Sequence, residues 1–275
     1  MDARFAQMPK SLQKLSRHTT LGRDIPSLLV HPSFDGSDET RVPGVIWMHG
    51  RTVNKELDPG RYQRWVRNGI GAIAIDLPGH GERYQKEYMS PAKTLDLIDQ
   101  GCREIDDVLE SIKQLDIFDM NRLAIGGMSA GGMVTLCRLC NSHPFIGASV
   151  EGTTGNLHDL YFSQDQSHSR TWPVEHDPAH VAEIDPIEHL NSFKTIPLLA
   201  LHNEGDSMVP ISTQREFLSQ LKTHYIENGA DPELIALHTF QDTGAPDEHA
   251  GFGRFANEAK NLQLAFFQDL FGLES

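Results

Sequence analysis

At 275 residues the chain is long enough for one large α/β domain or two small ones. Thirty-eight acidic residues against 24 basic ones leave a formal charge of −14, which repels nucleic acid and anionic lipid alike. Residues 1–20 lack the apolar stretch of a secretory signal, no apolar run approaches a membrane span, and no linker or internal repeat divides the chain. The expectation is one cytoplasmic domain over 1–275.

In chain order, 18–21 and 27–31 read as short strands, and the polar stretch 32–43 as a loop. Residues 45–48 are continuously apolar, as in a strand buried on both faces, and run into His49-Gly50-Arg51. A helix is predicted over 62–67, ending near Asn68-Gly69, and a second buried strand over 72–75. That strand feeds the loop Asp76-Leu77-Pro78-Gly79-His80-Gly81. Apolar residues recur at three and four through 94–115, which predicts a long helix.

The apolar run Leu123-Ala124-Ile125 leads to Gly127-Met128-Ser129-Ala130-Gly131 and then to a helical segment over 132–140. A strand reversing into a helix this abruptly needs a strained turn. Small neighbours permit the strain, and the residue at the tip presents its side chain outward. Ser129 is that residue. Further strands are predicted at 145–150, 197–201 and 234–240, with helices at 211–225 and about 252–271. Residues 152–194 break the rhythm. This stretch is polar, rich in His and Asp, and reads as a cap or lid insertion. Alternating strands and helices predict a mainly parallel sheet of about eight strands covered on both faces, with ligands bound at the carboxyl ends of the strands.

A serine hydroxyl is a poor nucleophile at neutral pH. It needs a base within hydrogen-bond reach, and the base needs an orienting group. His249, on the loop after the last strand, is the candidate base. It is one of fourteen histidines, and its position selects it. Asp206, on the loop after the preceding strand, is the candidate orienter, with Glu204 its competitor and Glu151 a reserve.

These residues carry a resemblance. His49-Gly50, the loop 76–81, the Ser129 turn, and Gly205-Asp206 with Val209-Pro210 before the final histidine follow the order of the α/β-hydrolases. The pattern is similar to the dienelactone-hydrolase-like and prolyl-oligopeptidase-like esterases. Asn203 departs from it, standing where the family often has Gly. The resemblance implies an α/β-hydrolase fold and a serine esterase acting on a small-molecule ester or thioester. Ser129, Asp206 and His249 would be its catalytic residues, and the backbone N–H groups of Arg51, with Thr52 the neighbouring alternative, and of Ala130 its oxyanion hole. His49 and the 76–83 loop would be structural.

Arg51, Glu151 and Trp172 are further candidates for substrate contact. The Arg51 guanidinium is suited to a substrate carboxylate. His176 and His180 have ligand spacing, but Pro178 between them disfavours a helix there, so no metal is expected and no cofactor is needed. Cys137 and Cys140 read as small apolar side chains on one buried helix face, not as a redox pair; Cys102 stands alone, and the cysteines are expected to be reduced. Two other readings stay open. A small peptidase is one, although such enzymes usually carry a propeller for which the chain has no room. A non-catalytic binding protein on the same fold is the other. Oligomeric state has no signature.

Overall fold

The computed structural model describes residues 8–36, 41–162 and 173–274. Among them eight strands form one sheet: β1 (Ser16–Leu21), β2 (Ile25–Val30), β3 (Val42–Met48), β4 (Gly71–Ile75), β5 (Phe118–Met128), β6 (Gly147–Glu151), β7 (Leu198–Asn203) and β8 (Ile235–Phe240). The helices are α1 (Lys10–Lys14), α2 (Pro59–Arg67), α3 (Thr94–Leu115), α4 (Ala130–Leu139), α5 (Leu157–Phe162), α6 (Pro178–Ile184), α7 (Ile211–Glu227) and α8 (Ala256–Phe271). None of the described helices is long and apolar enough to cross a membrane.

The sheet runs β1-β2-β4-β3-β5-β6-β7-β8. The hairpin β1–β2 joins antiparallel at one edge, and β3 to β8 are parallel. Every residue of β3, β4, β6 and β7 is buried, as in strands covered on both faces. Side chains alternate between faces. Ile46, Met48, Ile73, Ile75 and Ile125 pack in the larger cluster with α3, α4 and α7. Val45, Trp47, Ala72, Ala74 and Ala124 pack in a second cluster with Trp65 of α2 and Phe267 of α8.

From β3 the chain steps to β4 on one side, then crosses back to β5 on the other. The crevice therefore opens where β3 and β5 lie side by side. Register pairs Met48 with Gly127 and Met128 with Glu151. The loops after β3, β5 and β6 consequently emerge together.

Several boundaries differ from those read in the sequence. β5 begins at Phe118, five residues earlier, because its first half pairs only at Val42 before an irregularity in the ladder. The final helix starts at Ala256, because a 3₁₀ turn over Gly253–Phe255 precedes it. Pro178 does not break a helix. It opens α6, where the Asp177 side chain accepts the Ala179 N–H. A proline at this position loses no intrahelical bond, since its missing N–H would have had no acceptor.

Candidate active site

Ser129 sits between β5 and α4 with φ 52° and ψ −118°, a backbone conformation that L-residues rarely adopt. Neighbouring contacts hold it there. Its N–H donates to the Glu151 carbonyl (2.8 Å), and its carbonyl accepts from the Met133 N–H (3.0 Å) and the Thr153 hydroxyl (2.8 Å). The flanking glycines are sterically required. A Cβ on Gly127 would lie 2.4 Å from the Gly131 carbonyl carbon, and one on Gly131 would lie 2.4 Å from the Met48 carbonyl oxygen.

The structure brings Ser129, His249 and Asp206 into one hydrogen-bonded line. His249 Nε2 lies 2.9 Å from Ser129 Oγ, and His249 Nδ1 lies 2.7 Å from Asp206 Oδ2. A carboxylate only accepts, so the ring proton belongs on Nδ1 and the Nε2 lone pair faces the hydroxyl. The second carboxylate oxygen accepts the N–H groups of Met208 (2.9 Å) and Val209 (2.8 Å). Asp206 therefore cannot rotate without losing both bonds. Glu204 points away and accepts from Arg215 at 2.5 Å.

Two residues that the sequence left unassigned hold this arrangement. Asn203 ends β7, and its amide donates to the carbonyls of Glu248 (2.5 Å) and Gly251 (3.0 Å), spanning His249 on both sides. The residue that departs from the family pattern thus ties down the histidine loop. His202 is buried, with Nε2 2.8 Å from the Val209 carbonyl and 3.5 Å from Asp206 Oδ2. No spacing rule would have found Asn203, because it acts through backbone carbonyls distant in the chain.

Ser129 and His249 open into a cavity of about 630 Å³. Arg51, Ala130 and Glu151 line it, along with Val53, Met133, Met208, Val209 and Phe252. Ala130 is the first residue of α4, where a backbone N–H has no intrahelical acceptor. Arg51 follows Gly50, where an added Cβ would come 3.4 Å from the Ser129 Cβ. Its Nη1 donates to Thr94 Oγ1 (2.9 Å), and burial lowers its pKa. Trp172, the other expected substrate contact, lies outside the described residues.

Glu151 is not a free acid. Arg61 Nη1 and Nη2 grip its two oxygens at 2.7 and 2.8 Å, and Gln263 Nε2 lies 3.2 Å away. Burial pushes its carboxyl up, and Arg61 opposes the shift. Arg61 also lies over the Trp47 ring at 4.2 Å and pairs with Asp58, which Lys260 meets at 3.2 Å. These four charges lining the cavity cancel.

His49 is locked as a neutral ring. Its Nδ1 is 2.6 Å from the Gly50 carbonyl, and its Nε2 accepts the Leu77 N–H at 3.0 Å. Burial pushes its pKa down to about 4. Asp76 accepts the backbone N–H groups of Lys55 and Glu82 as well as the Lys55 ammonium. Arg83 donates to the Asp76 and Leu77 carbonyls and pairs with Glu104. The 76–83 loop is thereby pinned under the site.

The His176 ring packs on Tyr161 at a centroid distance of 4.5 Å. His18, Glu56 and Glu82 do place potential ligand atoms within 4.8 Å of one another. The Lys55 ammonium lies against both carboxylates and supplies positive charge there. Cys137 is buried beside Cys102 on the inner face of α4, and Cys140 is half-buried.

The uncharacterized peptidase YuxL of Bacillus subtilis (strain 168) is 27% identical over 217 residues, which is 74% of this chain and 31% of YuxL. The chain thus spans about a third of that relative's length. Esterase YjfP of Escherichia coli (strain K12) is 26% identical over 201 residues, 68% of this chain and 77% of YjfP. A puromycin-hydrolyzing peptidase from Mycobacterium tuberculosis superposes with a TM-score of 0.73 at 20% identity, over 97% of this chain and 41% of that one, which speaks for the fold alone. Residues 57–274 match the prolyl oligopeptidase family, a span that takes in Ser129, Asp206 and His249 and begins beyond Arg51. The chain therefore belongs to the prolyl oligopeptidase family, within the α/β-hydrolase superfamily of serine hydrolases.

Proposed function

We propose that the protein hydrolyses a carboxylic ester of a small molecule through an acyl-enzyme on Ser129. The observation that carries this reading is the Ser129–His249–Asp206 line, at 2.9 and 2.7 Å, facing a cavity of about 630 Å³. Ser129 Oγ attacks the ester carbonyl while His249 Nε2 takes its proton. The carbonyl oxygen becomes an oxyanion held by the N–H groups of Ala130 and Arg51. The C–O bond breaks, and the His249 proton goes to the departing alcohol. Water then attacks the acyl-enzyme with His249 again as base, releasing the acid and restoring the serine. Asp206 stabilises the charged imidazole throughout.

A second reading is cleavage of a small aminoacyl amide, favoured by the family match and by YuxL. The same steps apply, with an amine leaving. YjfP, most of whose length this chain covers, favours the ester.

A fluorophosphonate probe tests the nucleophile. The wild type is expected to label and Ser129→Ala not to; an unlabelled wild type would leave a binding protein on a hydrolase fold. Asp206→Asn should lower kcat/KM by about 10⁴, through loss of the correct imidazole tautomer. Hydrolysis of p-nitrophenyl esters but not of aminoacyl anilides supports the ester reading, and the reverse result supports the amide one.

A further inference from the structure

The cavity carries one cation that no described carboxylate matches. Arg61 is met by Glu151 and Asp58, and Lys260 by Asp58. Asp247 also lines the cavity, but it is exposed on the His249 loop. Among the described residues no carboxylate lies within ion-pair distance of Arg51. This is unusual in a chain of net charge −14, where acidic partners are plentiful.

The Arg51 guanidinium is also held in place. Nη1 donates to Thr94 Oγ1 at 2.9 Å, and that hydroxyl in turn donates to the Pro91 carbonyl at 2.9 Å. Thr94 is 3% exposed, so the anchor is rigid. An arginine fixed through one nitrogen keeps other N–H donors in a planar fork, which matches a carboxylate. Its ordering entropy is already spent before a ligand arrives. Arg51 and Ser129 line the same cavity, with Val53, Met133, Met208 and Val209 as apolar wall.

We infer that the Arg51 guanidinium receives a carboxylate of the substrate, so that the favoured substrates are esters bearing a free carboxylate beyond an apolar spacer. The inference rests on the hydrolase reading above and narrows its substrate class. The carboxylate sits at the far end either of the acyl group or of the leaving alcohol. Ester hydrolysis itself is unchanged: water is consumed, and an acid and an alcohol are released.

The test uses three esters: ethyl hexanoate, which is neutral; monoethyl adipate, with the carboxylate on the acyl side; and hexanoyloxyacetate, with the carboxylate on the alcohol side. The readout is the ratio of kcat/KM, acidic over neutral. Arg51→Met is expected to lower that ratio by about 10- to 100-fold for one acidic ester, the usual loss of a charged hydrogen-bond pair. The ester affected identifies the side. Arg51→Lys keeps the charge and should retain part of the preference, which also controls for folding. An unchanged ratio for both acidic esters in Arg51→Met overturns the inference and leaves the hydrolase reading intact. Binding is read separately by calorimetry of monoethyl adipate and hexanoyloxyacetate with the Ser129→Ala protein. An inert wild type whose Ser129→Ala form binds either acid, with binding lost on adding Arg51→Met, keeps the anion site and removes the esterase. No Arg51-dependent binding of either acid in an inert protein removes both.

Discussion

At the scale of single residues, the serine turn is a steric construction. Ser129 holds its strained backbone because Gly127 and Gly131 let β5, α4 and the end of β3 approach to backbone contact. Gly131→Ala would drive a Cβ to 2.4 Å from the Met48 carbonyl oxygen and 2.6 Å from that of His49. Neither atom is a flexible side-chain end, so the cost is expected to be about 3 kcal/mol, read as a lowered urea midpoint. Gly50→Ala is the contrast. Its Cβ would meet the Ser129 Cβ at 3.4 Å, an ordinary contact, so its midpoint should stay within about 1 kcal/mol of wild type. Equal losses in the two variants would show that packing at Gly131 is not the determinant. Ser129 was legible because glycine requirements leave a local signature. Asn203 was not, because its partners, the carbonyls of Glu248 and Gly251, lie on a loop that only folding brings near.

At the scale of elements, three segments are clamped beneath the nucleophile. Arg61 of α2 reaches Glu151 at the end of β6, and Gln263 of α8 bonds to Arg61, Glu151 and Ser149. The Glu151 carbonyl in turn holds the Ser129 N–H, so the clamp bears on the catalytic turn. Arg61→Met strands a buried carboxylate and should cost about 3–5 kcal/mol, whereas Arg61→Met with Glu151→Gln should recover much of it. Equal destabilisation of single and double variants would show that lost packing on Trp47, not the orphaned charge, is responsible. Elements with one strong period, such as α3, were readable from spacing alone: Leu95, Ile98, Ile105, Val108 and Ile112 are all buried. The start of α6 was not. Pro178 carries two opposite meanings, breaker within a helix and favoured first residue, and only the Asp177 cap decides between them.

At the scale of the whole molecule, burial of uncharged imidazoles links folding to pH. Burial lowers the pKa of His31, His49, His80, His143 and His202, for His49 and His143 to about 4. In the unfolded chain these groups titrate near 6.5. Between those values the unfolded state binds protons that the folded state refuses. Stability is therefore full above pH 6.5 and drains as pH falls towards 4. Urea midpoints at pH 7.0, 5.5 and 4.5 should decline, and His143→Phe should make the decline shallower. A flat series would show that these rings take up protons in the folded state without penalty.

Strand and helix order, the apolar faces and the loops able to carry chemistry were all set by local sequence, since periodicity and turn chemistry act within a few residues. Ser129, Asp206 and His249 could be chosen because each follows a strand on the sheet's carboxyl edge. Their meeting at 2.9 and 2.7 Å was decided by the order and register of β5, β6, β7 and β8, which involve residues tens of positions apart. The same holds for the charges. That Glu151 is occupied by Arg61 while Arg51 faces the cavity without a described carboxylate follows from which side chains the packed layers force together, and that is a property of the tertiary structure alone.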